Sequence, residues 1–182
     1  MAKNSPEVND SLENDDLEQQ EAGTKRPEHF ESTYSLKPNE QYDSNEYHYE
    51  TDSRGRIKRA EGTLRLEDGK RNTDHQTRAG GEYRLETDEG GHLIGRQFGG
   101  SEKIDNIVAM DYDVNHKEFG KLEKEWSDEL KNGNQVDVQI SCRYKGESER
   151  PESFIVKYQV TEPDGTTRNE IRRIKNGEGG GN

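Results

Sequence analysis

The segment around His92 combines residue types that could activate a water molecule. His92 follows Gly90-Gly91 and precedes Leu93-Ile94, so backbone that glycine permits leads directly to the imidazole. An imidazole has a reference pKa near ~6.5 and can accept a proton from water around neutral pH. The segment therefore predicts a tight turn that exposes a general base. A surface histidine, or a hydrogen-bonded histidine of the core, is the alternative.

The composition limits how such a site could attract a charged substrate. The chain has 182 residues, enough for one ordinary domain, and carries a net charge of -12. Residues 1–50 contain four Lys and Arg against thirteen Asp and Glu, so they hold -9 of this charge. Because an acidic protein has no long-range attraction for nucleic acid, phosphate binding requires a local basic cluster or a metal ion. The composition therefore argues against a simple DNA-binding protein.

The hydropathy pattern divides the chain into three parts. Only 25% of the residues are hydrophobic, 36% are charged, and the mean hydropathy is -1.41, which predicts that part of the chain is unfolded. Residues 1–45 lack a periodic apolar pattern and are predicted to be a disordered acidic leader or linker. A folded domain is predicted over residues 46–175, followed by a flexible Gly-rich tail at residues 176–182.

No segment has the composition of a targeting or membrane-spanning element. Residues 1–17 are polar and acidic, and nothing downstream approaches the roughly 20 apolar residues of a membrane helix. The single Cys142 excludes an intramolecular disulfide. We therefore expect a soluble protein without signal peptide or membrane insertion, either cytoplasmic or secreted by a non-classical route.

Alternating apolar residues predict an antiparallel sheet. Residues 47–50 and 56–66 form extended arms around a turn at residues 52–55, where Asp and Gly favour chain reversal. Nearer the C-terminus, two runs alternate strictly between apolar and polar positions, and a third run follows. These runs are residues 136–144, 154–160 and 170–175. They predict an antiparallel pair with a third strand added.

One stripe of large apolar side chains predicts a long helix over residues 115–131. The stripe recurs at intervals of three, four and four residues and includes Trp126, which we expect in the core rather than as a base-stacking platform. At 100° per residue, Asn115 and Glu123 lie about 80° apart on the apolar side of this helix. His116 points about 100° away from Asn115 and is expected to be solvated.

Several of these residues form a pattern of defined spacing. Residues 88–94 read Asp-Glu-Gly-Gly-His-Leu-Ile, Asn115 follows Asn106 by nine residues, and Glu123 follows Asn115 by eight. With this pattern, the segment from about residue 47 to residue 160 resembles the DNA/RNA non-specific endonucleases, a ββα-metal family. It is most similar to the nuclease domains of bacterial polymorphic toxins and type VII secretion effectors, which commonly carry Asp-x-Gly-Gly-His-Leu-Ile. The arginine of the family's general Asp-Arg-Gly-His form is replaced here by Gly90.

The resemblance implies an α+β fold with an antiparallel sheet, a ββα-metal motif and one long helix, preceded by the acidic leader. It implies that His92 activates water, that Asn115 holds a metal ion and that Glu123 orders metal-bound water. Mg²⁺, or another divalent cation such as Mn²⁺, keeps several waters, so one amide oxygen is a sufficient anchor. A surface ion pair with Lys121 or Lys124 is the alternative for Glu123.

Other polar residues have more than one interpretation. Asn106, included among the catalytic candidates, either fixes the His92 loop or a metal-bound water, or else bonds its own backbone. Arg71 and Arg78 are candidates for a phosphate clamp, because guanidinium groups bind phosphate with paired donors. The densest basic cluster either grips the nucleic acid backbone or protects an edge strand. It consists of Arg54, Arg56, Lys58 and Arg59.

Residues and resemblance together predict a metal-dependent endonuclease that hydrolyses DNA and RNA with little sequence preference, and the resemblance implies that cleavage leaves a 5′-phosphate. By analogy with the toxin branch, we expect a bacterial toxin effector domain with a cognate immunity protein as its partner. One alternative is a catalytically inactive homologue that acts as a nucleic-acid or protein binding module. Another is an interaction domain whose acidic leader mimics nucleic acid.

Overall fold

A computed structural model describes residues 26–177 of the chain. The strands in this range are β1 (Phe30–Ser32), β2 (Ser35–Leu36), β3 (Gln41–Ser44), β4 (Tyr47–Thr51), β5 (Ile57–Thr63), β6 (Asp88–His92), β7 (Ile107–Asp111), β8 (Gln135–Tyr144), β9 (Pro151–Thr161) and β10 (Thr167–Lys175). The α-helices are α1 (Thr73–Arg78) and α2 (Gly120–Lys131), and a π-helical segment, Val114–Phe119, leads directly into α2. In this described part, no helix is both long and apolar enough to cross a membrane.

Six antiparallel strands form the main sheet, in the order β10-β9-β8-β5-β4-β3. The predicted hairpin is confirmed as β4 and β5. At its turn, Gly55 has a φ of 75° and donates its N–H to the carbonyl of Asp52, a conformation that favours glycine. The strictly alternating runs are confirmed as β8 and β9, and the third run is confirmed as β10, which begins at Thr167.

A second, smaller unit consists of the hairpin β6–β7 followed by the π-helical segment and α2. The antiparallel pairing of β6 and β7 brings His92 opposite Ile107. Two antiparallel strands followed at once by a helix form the ββα arrangement that the resemblance implies. The predicted α+β class with antiparallel sheets and one long helix is therefore confirmed.

The core lies between the main sheet and this ββα unit. The indole of Trp126 on α2 is 1% exposed and packs edge-on against Tyr158 of β9 and near Phe98. Phe119 makes a similar edge contact with Phe154. Burial of large aromatic side chains contributes strongly to the free energy of folding, so these contacts hold α2 on the sheet. The prediction that Trp126 belongs to the core is correct.

The predicted disordered leader is wrong for residues 26–45, because β1, β2 and β3 lie within it. Phe30, Leu36 and Tyr42 are buried in the main core. Tyr42 also donates its hydroxyl to the carbonyl of Asp105. The folded part thus includes residues before position 46, and the rest of the predicted leader, residues 1–25, lies outside the described residues.

The predicted flexible tail is wrong at its first residue. Asn176 is fully buried, and its side-chain amide donates to the carbonyls of Ala109 and Pro151. Its Oδ1 accepts a hydrogen bond from the backbone N–H of Asp111. Asn176 therefore ties the end of β7 to the start of β9, and residues 178–182 of the predicted tail lie outside the described residues.

The basic cluster before and within β5 does not protect an edge strand, because β5 pairs with β4 on one side and β8 on the other. Each member also has an acidic partner, which reduces its capacity to attract phosphate. Arg54 pairs with Glu147, Arg56 with Asp52, and Lys58 and Arg59 with Glu50.

Candidate active site

A cavity of about 580 Å³ opens where the β6–β7 hairpin, α1 and the start of the long helix meet. Its walls are formed by residues from β6 and the loop after it, α1, the start of the long helix, and the chain around α1. The lining residues are Arg71, Gln76, Thr77, Arg84, Glu89, Gly90, His92, Gly95, Arg96, Gln97, Asn115, His116, Gly120 and Glu123. Four of the predicted site residues therefore line one shared space: Arg71, His92, Asn115 and Glu123.

His92 ends β6 and is half-buried in the wall of this cavity. Its Nε2 atom is buried and has no hydrogen-bond partner among the described residues. A buried polar atom without a partner costs free energy, so its presence calls for an explanation, of which a catalytic role is one. The imidazole is therefore available to a ligand.

The surroundings of His92 favour its neutral form. Burial is the main cause, and the positive charges of Arg96 and Arg71 add to it, so that the pKa of His92 falls from 6.5 to about 4. At neutral pH the imidazole is uncharged and can accept a proton. This is the protonation state that a general base requires.

We predict the titration of His92 in an NMR experiment on the metal-free protein. The imidazole should titrate near pH 4, and Arg96→Gln should move the midpoint upward, because it removes a positive charge that opposes protonation. The midpoint should stay below 6.5, since burial remains. Arg173→Gln, an exposed change on β10, should leave it unchanged. A wild-type midpoint near 6.5 would contradict the described environment.

Asn115 lies in the π-helical segment and contacts β6. Its Nδ2 donates to Glu89 Oε1 at 2.6 Å, which leaves its own Oδ1 as a free acceptor within the described chain. The same carboxylate oxygen pairs with Nε2 of His116. His116 is 52% exposed, which confirms the prediction of a solvated side chain; it also pairs with Glu89 and lines the cavity, which was not predicted.

The π-helical segment changes the angle between Asn115 and Glu123. An α-helix would place residues eight positions apart at about 80°, but a π turn contains an additional residue and reduces this separation to about 20°. Both side chains consequently line the same cavity. Glu123 accepts a hydrogen bond from Gln97 at 3.0 Å. Burial raises its pKa, while the bond from Gln97 and the nearby His116 act in the opposite direction.

The tight turn predicted before His92 is not present, and Gly90 and Gly91 serve a different purpose. Gly90 and Gly91 lie in the extended strand β6, and neither has a positive φ. A Cβ at Gly90 would lie 2.4 Å from the Cα of Gln76, and one at Gly91 would lie 2.7 Å from the Cβ of Met110. The two glycines therefore permit close packing of α1 and β7 against the strand that carries His92.

Asn106 is fully buried behind the loop that follows His92. Its Oδ1 accepts hydrogen bonds from the Tyr49 hydroxyl and the Ile94 N–H, and its Nδ2 donates to the carbonyls of Ile94 and Ser101. These bonds use both polar atoms of the side chain. Asn106 does not line the cavity, and its contacts fix the path of the chain just after His92.

Replacement of Asn106 by alanine should destabilise the fold by about 3 kcal/mol, because it leaves several buried polar groups without partners. Urea unfolding would measure this change. Asn169→Ala is a matched control: it removes an exposed asparagine of β10 and should cost less than about 0.5 kcal/mol. An equal, small effect of the two substitutions would show that the bonds of Asn106 do not stabilise the loop.

Asp88, the first residue of the signature, belongs to the structural framework. Both of its carboxylate oxygens accept bonds from the buried guanidinium of Arg150, at 2.7 and 3.0 Å. Asp88 also accepts a bond from the backbone N–H of Leu85. A buried paired carboxylate of this kind fixes the start of β6 and does not reach the cavity.

Of the two arginines predicted to clamp phosphate, Arg71 lines the cavity and Arg78 does not. Arg78 lies over the ring of Tyr34 and near Asp74, beside a different, smaller cavity. Arg96, which the sequence did not single out, lines the main cavity instead. Within residues 26–177, neither Arg71 nor Arg96 has a carboxylate partner, so both cations are available to an anion.

The oxygen atoms of the cavity fit a hard divalent cation. Asn115 offers an amide oxygen, and Glu89 and Glu123 offer carboxylate oxygens. Among the described residues, no group of three His, Cys, Asp or Glu side chains is placed to hold a metal on its own. The donors therefore suit an ion that completes its coordination with water.

A strand histidine and a helix asparagine share one cavity, beside two arginines that have no carboxylate partner among the described residues, and this is the arrangement that the resemblance to ββα-metal nucleases implies. The sequence places this chain within that class. Residues 38–162 match the family described as DNA/RNA non-specific endonuclease, which is well over half of the chain. The chain belongs to this family.

Relatives in Staphylococcus aureus carry a similar sequence within a longer protein. The type VII secretion system protein EssD of strain USA300 is 44% identical over 149 residues, which cover 78% of this chain and 24% of that protein. The corresponding protein of strain Newman matches at 44% identity over 23% of its length. The chain thus spans about a quarter of the curated relatives it matches.

A solved structure shares the fold. The Sda1 nuclease with bound zinc ion superposes with a TM-score of 0.54 at 16% identity, over 74% of this chain and 75% of that one. This similarity confirms the architecture.

Sequence reasoning did not identify Glu89, Arg96, Gln97 or the contact of His116. Glu89 and Arg96 lie within four residues of His92, so their position near the signature was the available signal. Nothing in the sequence showed that Glu89 would reach the long helix, because that contact depends on the packing of β6 against it.

Proposed function

We propose that this domain is a Mg²⁺-dependent endonuclease that cuts DNA and RNA with little sequence preference. The observation that supports this proposal best is the convergence of His92, Asn115 and Glu123 on one cavity, whose wall also contains Arg71 and Arg96, both without a carboxylate partner in the described part of the chain. A phosphodiester brings negative charge to such a cavity, and its hydrolysis requires a base for water.

His92 is the general base. Its neutral imidazole takes a proton from the water that attacks phosphorus, as the bond from phosphorus to the leaving oxygen breaks. A pKa of about 4 makes a weak base in the free protein. A bound phosphodiester places a negative charge near His92 and offsets the charges of Arg96 and Arg71, which raises the pKa of the imidazole and strengthens the base.

Asn115 would hold the divalent ion through Oδ1, and Glu123 would act on it through a bound water. When bound, the ion supplies positive charge that stabilises the transition state and the leaving oxygen. Glu89 holds the Asn115 amide and the His116 ring through one carboxylate oxygen, and so orients the ligand.

Arg71 and Arg96 bind the non-bridging oxygens of the phosphate, since guanidinium groups offer paired donors. Asn106 is a positioning residue: it fixes the backbone directly after His92 and does not contact the substrate. Arg78 has no role in the clamp, because it faces a different cavity.

We further propose that the domain is the toxic part of a secreted effector and that a cognate immunity protein blocks its cavity. The support is the similarity to EssD, a type VII secretion system protein. An active nuclease of low specificity would damage the nucleic acid of the cell that makes it. A partner that covers His92 and Arg96 would prevent this.

Incubation of the purified chain with plasmid DNA and with RNA tests the proposal. We expect cleavage of both with Mg²⁺ and none in EDTA, with products that a ligase accepts because they carry 5′-phosphates. An inactive homologue that only binds nucleic acid would shift both substrates on a gel without cutting them. Absence of cleavage with Mg²⁺, Mn²⁺ and Zn²⁺ alike would reject the proposed function.

A further inference from the structure

An exposed aromatic ring lies beside the cavity at the point where the long helix begins. Within residues 26–177, three large apolar side chains are exposed: Leu66, Tyr112 and Ile171. Tyr112 is 56% exposed and is the aromatic member of the three. Exposure of such a ring loses the free energy that its burial would provide, so a ligand that covers the ring would gain it.

Tyr112 is connected to the cavity through His116. The two rings have centroids 4.2 Å apart and an interplanar angle of 32°, so one face of the tyrosine contacts the imidazole. His116 lines the cavity and pairs with Glu89, which also holds Asn115. The chain of contacts from Asn115 to Tyr112 thus runs from the centre of the site to the surface.

The backbone that carries Tyr112 is hydrogen-bonded to neighbouring segments. Its backbone N–H donates to the carbonyl of Thr87 at 2.9 Å, and the preceding Asp111 is bonded to the buried Asn176. The ring contacts His116 on one side, and the residue is 56% exposed, so ring surface remains accessible to a ligand. A ring held in this way loses little conformational entropy when a flat ligand stacks on it.

We propose that Tyr112 is a base-stacking subsite for an unpaired nucleobase next to the phosphate in the cavity; this inference rests on the proposed function. Successive bases of a single strand stack on aromatic side chains, and every base offers the same kind of face. A stacking contact would hold a strand in place without reading its sequence. It would also favour single strands and frayed ends over intact duplex, because only an unstacked base can reach the ring.

The test is a binding measurement that does not depend on cleavage. Protein carrying His92→Ala is titrated into a fluorescently labelled single-stranded DNA, with and without Tyr112→Ala. Loss of the ring should weaken binding about tenfold, whereas Tyr112→Phe should preserve it. Ile171→Ala, which removes an apolar side chain of similar exposure from β10, should have no effect.

A second oligonucleotide with a run of abasic residues distinguishes stacking from an indirect effect. The Tyr112→Ala protein should bind this oligonucleotide as well as the protein that retains Tyr112 does. An equal loss on both oligonucleotides would overturn the proposal, since the ring would then act through His116 or the fold. Unchanged binding of the base-containing strand would also overturn it and would leave the ring as a contact for a protein partner. In each case plasmid cleavage by the unsubstituted chain separately decides the proposed function.

Discussion

Substitution of His92 by alanine should slow plasmid cleavage about 10³-fold, because general-base catalysis typically contributes about 10² to 10⁴ in rate. The fold should persist. The buried Nε2 of His92 has no partner among the described residues, so its removal breaks no hydrogen bond at that atom. Initial rates on supercoiled plasmid at saturating Mg²⁺, together with a circular dichroism melt, would measure both expectations.

Two controls make the His92 experiment specific. His48→Ala removes a partly exposed histidine of β4 that pairs with Asp43 and does not line the cavity, and it should cut at the parent rate. Added imidazole should partly restore cleavage by His92→Ala, since the cavity of about 580 Å³ can admit it. Parent-like cleavage by the His92 variant without imidazole would rule out its assignment as the base.

Elements with strong local periodicity could be predicted from the sequence. The hairpin of β4 and β5, the alternation of β8 and β9, and the apolar stripe of α2 each repeat a pattern over several residues. The short strands β1 to β3 could not be predicted in this way. Each of these strands buries one large side chain, for example Phe30 in β1 and Tyr42 in β3. A single apolar residue cannot form the repeating pattern from which a strand is predicted. Tertiary contacts with the core therefore determine that part of the fold.

Some features of the candidate site could likewise be predicted from the sequence, and others could not. His92, Asn115 and Glu123 were predicted because their spacing resembles that of a family, and the cavity brings them together. The helical angle that supported the pairing of Asn115 and Glu123 assumed a regular α-helix. The π turn at Val114–Phe119 changes that angle, and the sequence had no signal for it.

Contacts between elements explain why the rest of the site was not predicted. The sequence offered no reason to prefer Arg71 or Arg78 as a phosphate ligand. The packing of α1 on Gly90 places Arg78 away from the main cavity, over the ring of Tyr34. Arg96 reaches the cavity because the loop after His92 is fixed by Asn106. These positions depend on side-chain packing that no single segment encodes.

Replacement of Asn115 by alanine should remove metal binding and reduce cleavage at least about a hundredfold. Mutation of residues that only hydrogen-bond to a metal ligand already lowers metal affinity or activity about 10- to 100-fold, and loss of the ligand itself should cost more. Calorimetric titration with Mn²⁺ would measure the affinity. Glu89 keeps its contact with His116 in this variant, so the wall of the cavity should remain in place. We therefore expect this variant to lose a metal ligand and to keep its fold.

Asn115→Asp distinguishes the loss of a metal ligand from a disturbance of the fold. A carboxylate keeps an oxygen ligand at this position, and it also lies close to Glu89, which contacts Asn115 at 2.6 Å. The repulsion between the two acids would be relieved by a cation, so Mn²⁺ should bind at least as tightly as in the parent. Asn132→Ala at the other end of α2 should change neither affinity nor rate. If Asn115→Ala bound Mn²⁺ as the parent does, the ion would have to be held by Glu89 and Glu123 alone, and the amide would serve only to orient them.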